Sequence, residues 1–160
     1  MIPFYRKKIK VKDGNGNIYH HPIVKMPERF GTNEAGIDFY VPETFRKTVL
    51  DHGEEIVIES GVYVNIPPGK ALIFFNKSSI AIKKGLVLGA CVVDETYQGE
   101  IMFNLICVNK NPTVIYPNEK IVQGLLINNN YEVVNEIENL EDLYFDISKR
   151  GKGWLGSTNK

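Results

Sequence analysis

The chain of 160 residues carries 19 lysine and arginine residues against 19 aspartate and glutamate residues, so its formal net charge is zero. This balance excludes a protein organised around long-range attraction to nucleic acid or to an anionic membrane, and the length suits a single domain with one core. The N-terminus lacks an apolar signal segment and no apolar run approaches the length of a membrane span, which predicts a soluble, cytoplasmic protein.

Short β-rich runs separated by turn residues occupy most of the chain. In chain order, IKVK precedes the turn DGNGN, IVIESGVYVNI leads into PPGK, ALIFF stops at NKSS and IMFNLICV stops at NKNP. Only residues 76–84 and 138–144 could form helices, and both stretches are brief. Many short strands without crossover helices predict an all-β fold, either a sandwich or a barrel-like jelly roll.

The cysteines and the adjacent histidines do not have the spacing of a metal site. Cys91 and Cys107 stand inside apolar stretches without CxxC or Cys/His spacing, which predicts reduced thiols in the core. His20 and His21 precede a proline in a predicted strand, with no further ligand close in sequence. A surface position is therefore favoured for them over a metal site.

Two polar residues interrupt apolar strands. In AGIDFYVPE, Asp38 requires a partner, because burying an unpaired carboxylate is costly. In PNEKIVQGLLI, Gln123 stands in the middle of an apolar strand. A buried amide without a hydrogen bond is unfavourable, so we expect Gln123 to face either a polar network or a ligand.

A pair of serines follows a lysine at the end of a predicted strand. In NKSSIAIKKGL, Lys77, Ser78 and Ser79 precede a short helix. Hydroxyls, helix-start N–H groups and an ammonium are suited to binding phosphate. The alternative is that Ser78 is an ordinary helix N-cap, a position at which serine is common.

The segment DETYQG lies between two apolar runs. We expect these runs to form a hairpin that presents Asp94 at its mouth and Tyr97 three residues later. Asp94 is either a turn former or a positioned base, and Tyr97 is either a packing residue or a ligand contact.

The charge pattern changes near the C-terminus. Residues 136–146 carry five acids, whereas residues 149–160 carry four basic residues and no acid. We therefore separate a main domain over residues 1–148 from a glycine-rich tail over residues 149–160. The tail is either a frayed terminus or a segment that becomes ordered over an anionic ligand.

Five segments occur in a specific order along the chain, namely AGIDFYVPE, NKSSIAIKKGL, GACVVDETYQGE, NEKIVQGLL and RGKGWLGST. Their series resembles the five ordered motifs of the trimeric dUTP pyrophosphatases (dUTPases) and spans residues 35–158. The resemblance implies a β jelly roll that forms homotrimers, with each active site built from three subunits and closed by the C-terminal arm of one. It also implies hydrolysis of dUTP to dUMP and pyrophosphate, which keeps uracil out of DNA and supplies dUMP for thymidylate synthesis.

The resemblance assigns roles to the third motif. Asp94 matches the catalytic carboxylate, which contacts the sugar 3′-hydroxyl and orients the water that attacks the α-phosphorus. Tyr97 matches the residue that stacks under the deoxyribose and leaves no room for a 2′-hydroxyl. The backbone of Gly89, Ala90 and Cys91 matches the segment that reads uracil.

The other motifs are implied to bind the triphosphate. In the second and fourth motifs these residues are Lys77, Ser78, Ser79 and Gln123. In the tail the substrate contacts are Arg150, Gly153, Trp154, Leu155, Gly156, Ser157 and Thr158. Mg²⁺ is the implied cofactor, held by the triphosphate and by water without a direct protein ligand, while Asp38 is a structural group or one that contacts the water of the metal.

Two departures from the family pattern stand out. Lys77 occupies a position where arginine is usual, so a point charge replaces a planar fork. Trp154 and Leu155 stand where the family has Gly and Phe, and that Phe covers the uracil. We hypothesise that Trp154 takes over this cover, because Leu155 has no aromatic face.

Two alternatives to a dUTPase remain at this stage. The related dCTP deaminases share the jelly roll, but they need a general-base glutamate where this chain has Asn104, and they tend to carry Trp or Phe in place of Tyr97. A non-catalytic nucleotide-binding regulatory jelly roll is the second alternative, and the presence of Asp94, Gln123 and Arg150 argues against it.

Overall fold

The computed structural model of the chain describes residues 1–144, and its secondary structure is almost entirely β. The strands are β1 (Phe4–Arg6), β2 (Lys8–Lys12), β3 (Ile18–Pro22), β4 (Ile37–Tyr40), β5 (Thr48–Leu50), β6 (Glu55–Glu59), β7 (Val62–Val64), β8 (Lys70–Asn76), β9 (Leu86–Leu88), β10 (Val92–Asp94), β11 (Met102–Cys107), β12 (Thr113–Ile115) and β13 (Lys120–Asn128). One α-helix, α1 (Ser78–Lys84), and one 3-10 turn (Leu140–Leu143) complete the described part. The predicted all-β class and both brief helical stretches are confirmed.

The strands form small antiparallel sheets. The largest has the order β10-β8-β13-β4, a second has the order β6-β11-β9, and the pairs β1-β7, β12-β5 and β2-β3 stand apart. The chain divides into two compact units, residues 1–130 and 131–160. The second unit is described over residues 131–144, where its regular structure is the 3-10 turn. The boundary at 148/149 lies outside the described residues and stays a prediction.

Three phenylalanines from the two larger sheets meet in the core. Phe39 on β4, Phe74 on β8 and Phe103 on β11 pack edge to face, with ring centroids 4.9 to 6.1 Å apart. All three are buried, and burial of one such side chain contributes about 1.5–3 kcal/mol. Gly124 on β13 keeps this packing close, since a Cβ there would lie 3.1 Å from Phe39. Of the candidate site residues, Gln123 lies on this packed strand pair and Lys77 directly follows β8.

The N-terminal hairpin has the turn that the sequence predicts. The carboxylate of Asp13 accepts hydrogen bonds from the backbone N–H groups of Asn15 and Asn17 at 2.9 and 2.8 Å. These bonds hold the pKa of Asp13 below its usual value. His20 is exposed, and His21 pairs with Glu43 at 2.9 Å, so the expected surface position of both histidines is confirmed.

The expected hairpin around DETYQG is wrong. Strand β10 pairs with β8, whereas β11 lies between β6 and β9, so the segment after Asp94 crosses from one sheet to another. Both edges of β11 are taken by other strands, and two apolar runs around a polar turn look the same in either arrangement. The cysteine prediction also needs correction in part: both thiols are free, but only Cys107 is buried and Cys91 is partly exposed.

Within residues 1–144, no helix has the length and apolar character that crossing a bilayer requires.

Candidate active site

Asp94 and Tyr97 line the same cavity. It has a volume of about 190 Å³, and its walls are Val92, Val93, Asp94, Tyr97, Ile101 and Met102. Asp94 is the last residue of β10, and a turn that begins with it brings Tyr97 back, with the N–H of Tyr97 donating to the carbonyl of Asp94 at 3.1 Å. Both side chains are exposed at this cavity. The carboxylate can therefore receive a water molecule and the ring can contact a sugar.

The conformation of Tyr97 is fixed by its own loop. Its hydroxyl donates a hydrogen bond to the backbone carbonyl of Glu100 at 2.8 Å. A Cβ at position 99 would collide with the ring and the hydroxyl, so glycine is required there for this packing. The hydroxyl bond and the close contact with Gly99 both favour the orientation in which the ring lines the cavity.

The segment Gly89–Cys91 is held at its two ends. The N–H of Gly89 donates to the carbonyl of Asn104 at 3.0 Å, and the carbonyl of Cys91 accepts from the N–H of Phe74 at 2.7 Å. Ala90 lies between these two bonds and is exposed. This arrangement positions a short stretch of backbone without consuming all of its hydrogen-bonding groups, as recognition of a base edge requires.

Asn104 packs directly against this segment. A Cβ at Gly89 would lie 3.1 Å from the Oδ1 of Asn104, so only glycine leaves room for the amide. That Oδ1 is buried and has no hydrogen-bond partner within residues 1–144. Sequence reasoning noted Asn104 only as the residue that replaces a glutamate and did not anticipate this contact.

Asp38 has the partners that its burial requires. Its Oδ1 lies 2.8 Å from the Nζ of Lys77, and its Oδ2 lies 3.1 Å from the Nζ of Lys120. Lys120 also reaches Glu28 at 3.3 Å and lies over the ring of Tyr40. The hydrogen bond to Asp38 is the main cause that raises the pKa of Lys120. The predicted partner of Asp38 is confirmed, while Lys120 was missed although it lies within the quoted segment NEKIVQGLL.

Ser78 and Ser79 begin α1, and both are exposed. The N-cap of the helix is Lys77, so the alternative that Ser78 caps the helix is wrong. The side chain of Lys77 makes no capping bond either, because an ammonium has no acceptor for a backbone N–H, and it donates to Asp38 instead. The two hydroxyls therefore face solvent next to an ammonium.

Gln123 projects from β13 beside this group. Its Nε2 donates to the carbonyl of Asn76 at 3.0 Å, so the expected polar partner is present. It also borders an open cavity of about 470 Å³ whose other walls are Ala35, Gly36, Phe75, Asn76 and Leu125. A Cβ at Gly36 would lie 2.7 Å from the Oε1 of Gln123, so this glycine makes space for the amide.

The structure does not bring Asp94 together with Lys77 in one chain. Asp94 pairs with Ala71 near the start of β8, whereas Lys77 follows Asn76 at its end. Six residues of extended strand place their backbones about 20 Å apart. Asp94 and Tyr97 thus form one half of the candidate site, and Lys77, Ser78 and Gln123 form another.

The candidate residues of the tail lie outside the described residues. They are Arg150, Gly153, Trp154, Leu155, Gly156, Ser157 and Thr158.

The described residues do not offer a carboxylate cage for a cation. Among residues 1–144, no three His, Cys, Asp or Glu side chains are grouped so that they could hold a metal ion. Both oxygens of Asp38 face ammonium groups, which would repel Mg²⁺. The charges around Asp38 therefore do not favour a direct metal contact by this carboxylate.

Comparisons with known proteins agree on one family. A sequence model described as dUTPase matches residues 23–158. Deoxyuridine 5′-triphosphate nucleotidohydrolase from Paraburkholderia phymatum is 30% identical over 139 residues, which cover 85% of this chain and 90% of that protein. The enzymes of the same name from Candida albicans and Fusobacterium nucleatum are 31% and 28% identical and cover 87% and 96% of the chain, and 84% and 99% of their own lengths.

Solved structures show the same fold. The dUTPase of Staphylococcus bacteriophage 80alpha with dUPNHPP has a TM-score of 0.73 at 20% identity and covers 98% of this chain and 97% of its own. A mutant dUTPase from phage phi11 of S. aureus, described with a structural Mg(II) ion, has a TM-score of 0.67 at 19% identity, with coverage of 88% and 99%. The native EIAV dUTPase has a TM-score of 0.66 at 18% identity, with coverage of 88% and 98%. The predicted dUTPase-like jelly roll is confirmed.

Proposed function

The chain belongs to the dUTPase family and hydrolyses dUTP to dUMP and pyrophosphate, and we propose that Asp94 is the catalytic carboxylate of this reaction. The observation that carries the proposal is the shared cavity of Asp94 and Tyr97, which sets an exposed carboxylate beside an aromatic ring. A carboxylate that accepts a hydrogen bond from water both orients that water and takes its proton.

We propose the following course for the reaction. The water held by Asp94 attacks the α-phosphorus and loses a proton to the carboxylate. The bond from the α-phosphorus to the bridging oxygen of the β-phosphate breaks, and pyrophosphate leaves. Asp94 also accepts a hydrogen bond from the sugar 3′-hydroxyl, so that the nucleotide and the water are oriented by the same group.

Tyr97 and the segment Gly89–Cys91 select the nucleoside. The ring of Tyr97 packs under the deoxyribose and leaves no space for a 2′-hydroxyl. The backbone around Ala90 bonds to the uracil edge, and cytosine is rejected because its amino group presents a donor where uracil has a carbonyl. The bonds that fix Gly89 and Cys91 support this role, since a backbone that reads a base must be rigid.

The triphosphate is bound by Lys77, Ser78, Ser79 and Gln123 of a second subunit. The distance of about 20 Å along β8 between Asp94 and Lys77 supports a site shared between subunits, since it exceeds what one nucleotide bridges comfortably. The family resemblance supplies the number of subunits, and from it we assign a homotrimer, with the tail of a further subunit closing the site. The tail residues assigned to substrate contact are Arg150, Gly153, Trp154, Leu155, Gly156, Ser157 and Thr158.

We propose that Mg²⁺ enters this site bound to the triphosphate of the substrate. A Mg²⁺ ion that arrives with the triphosphate would supply neutralisation of the charge on the leaving pyrophosphate. Lys77 and the two serines contact the remaining oxygens, and Asp38 keeps Lys77 in place.

Pyrophosphate release from dUTP, dCTP, dTTP and UTP with magnesium tests the assignment. We expect turnover of dUTP alone, abolished by Asp94→Asn and unaffected by Asp51→Asn, which changes an exposed loop carboxylate away from the cavity. Binding of dUTP without turnover of any nucleotide would support a regulatory binding module instead.

Subunit complementation tests the shared site. Asp94→Asn and Ser78→Ala each damage a different half, so trimers that contain both variants regain an intact site where the halves come from different subunits. We expect co-expression of the two variants to restore activity above that of either alone. Activity no higher than the sum of the separate variants would contradict a shared site.

A further inference from the structure

The loop that carries Tyr97 is anchored by the carboxylate of Glu100. This side chain is only 13% exposed. Its Oε1 accepts a hydrogen bond from the N–H of Gly61 at 2.7 Å. Its Oε2 lies 3.3 Å from the Nζ of Lys7 and 3.4 Å from the hydroxyl of Tyr63. One carboxylate thus joins the loop after β10 to three groups of the surrounding frame.

The partners of Glu100 are themselves fixed. Gly61 has a φ of 71°, a conformation that favours glycine, in the turn between β6 and β7. The N–H of Lys7 donates to the carbonyl of Gly61 at 2.7 Å, so the cation and the turn are held together. The hydrogen bond to Glu100 is the main cause that raises the pKa of Lys7. Glu100 is thereby joined to the backbone of the turn at Gly61 and to two side chains next to it, Lys7 and Tyr63.

The same residue holds Tyr97 through its backbone. The Tyr97 hydroxyl donates to the carbonyl of Glu100 at 2.8 Å. The next residue, Ile101, lines the cavity and is fixed by its N–H, which donates to the carbonyl of Val62 at 2.9 Å. A shift of Glu100 would move the acceptor of the Tyr97 hydroxyl and one wall of the cavity together.

We propose that Glu100 is a positioning residue that sets the orientation of the Tyr97 ring and thereby the discrimination between deoxyribose and ribose. This inference rests on the proposed function, in which Tyr97 contacts the sugar. Glu100 does not touch the substrate. Its carboxylate bonds the end of the loop to Gly61, Lys7 and Tyr63, and its backbone carbonyl accepts a hydrogen bond from the hydroxyl of Tyr97.

The test compares kcat/KM for dUTP and UTP in a set of matched variants. Glu100→Ala should lower the ratio of kcat/KM for dUTP to kcat/KM for UTP about three- to tenfold, which is the effect of losing about one hydrogen bond. We expect most of this change to come from a higher KM for dUTP. Glu100→Gln keeps an acceptor for the N–H of Gly61 and loses the charge that faces Lys7. Its dUTP/UTP ratio of kcat/KM should therefore fall less than that of Glu100→Ala. Tyr97→Phe removes only the hydroxyl bond and should narrow the preference in the same direction.

Glu59→Ala is the control, because Glu59 also lies 3.3 Å from Lys7 but is 67% exposed and belongs to β6, which pairs with β11. It should leave the preference unchanged. If both Glu100 variants lower the melting temperature but keep the dUTP preference, Glu100 is merely structural and the inference fails. If Tyr97→Ala itself leaves the preference unchanged, the proposed sugar contact of Tyr97 fails, which is a separate result.

Discussion

The ammonium of Lys77 lies 2.8 Å from Oδ1 of Asp38, so the lysine that precedes the serine pair is held by a buried carboxylate on β4. Lys120 occupies the other oxygen of Asp38 at 3.1 Å. Two ammonium groups thus share this carboxylate, and Lys120 has a second acidic partner in Glu28 at 3.3 Å. The carboxylate of Asp38 therefore fixes where the two ammonium groups stand beside the predicted phosphate site.

Asp38→Asn should destabilise the protein. The substitution removes the counter-charge of Lys77 and one of the two acidic partners of Lys120, which keeps Glu28, at a position where the Asp38 side chain is only 10% exposed. Breaking a buried pair costs about 3–5 kcal/mol, and the partial exposure of both lysines reduces this to about 2 kcal/mol. Urea unfolding at a fixed protein concentration would measure the loss, and Asp51→Asn serves as the exposed control. Equal unfolding midpoints for the two variants would contradict this account of Asp38.

Lys77→Arg should lower KM for dUTP. A guanidinium can bond to Asp38 with one edge and make a two-point contact to a phosphate with another, whereas the ammonium of Lys77, which also bonds to Asp38, offers a phosphate only a single-point contact. One additional charge-assisted hydrogen bond corresponds to roughly a tenfold change in affinity. Lys77→Met is the matched loss-of-charge variant and should raise KM. A higher KM for Lys77→Arg would show that the site tolerates only the compact ammonium.

Local chemistry let the sequence predict several of these features. A carboxylate inside an apolar strand had to have a partner, and Asp38 has two. The DGNGN turn could be predicted because the Asp13 carboxylate accepts hydrogen bonds from backbone N–H groups within four residues of it. The five motif segments allowed the family to be predicted because their residue types and order resemble those of the dUTPases. The family match over residues 23–158 covers all five.

Features that depend on distant strands could not be predicted. Whether the runs flanking DETYQG pair with each other depends on the free edges of other strands, and β11 has none left for β10. The contact of Glu100 with Lys7 joins residues 93 positions apart, and the sequence shows Glu100 only as one more surface glutamate. The separation of Asp94 from Lys77 likewise follows from the register of β10 on β8.

Gly89→Ala should destabilise the chain through Asn104. The new Cβ would lie 3.1 to 3.3 Å from the amide of Asn104, so that the amide or the strand must move. Overpacking of this kind costs about 1–3 kcal/mol. The same shift should raise KM for dUTP, since Gly89 is part of the segment assigned to uracil.

A double-mutant cycle tests whether the contact with Asn104 causes the loss of stability in Gly89→Ala. Asn104→Ala removes the amide that meets the new Cβ, and it also removes a buried oxygen without a partner in the described part of the chain. The double variant should therefore recover most of the stability lost in Gly89→Ala, measured by urea unfolding. Strictly additive losses would show that the two residues do not clash.

Glu28 should make stability depend on pH below the neutral range. Hydrogen bonds from Tyr40 and then from Lys120 lower its pKa below the ordinary value of 4.5. Folding therefore favours the ionised form of Glu28. The stability that this carboxylate adds is fully present above pH 4.5 and is lost as the pH falls through its lower pKa in the folded state. Glu28→Gln should be less stable than the wild type at pH 7, and the difference should close below pH 4.5. Glu138→Gln, at an exposed position, should track the wild type throughout.

Trp154→Ala should impair turnover of dUTP far more than Leu155→Ala. The tail RGKGWLGST carries Trp where the family pattern has Gly, and Leu where it has the Phe that covers uracil. Only the indole offers an aromatic face to a pyrimidine, and loss of such stacking costs about 1 kcal/mol or more. Steady-state kinetics should show a higher KM and a lower kcat for Trp154→Ala. Because the chain has a single Trp, its fluorescence should also change on addition of a nonhydrolysable dUTP analogue. Equal kinetic effects of the two substitutions would refute the assignment of Trp154 as the cover.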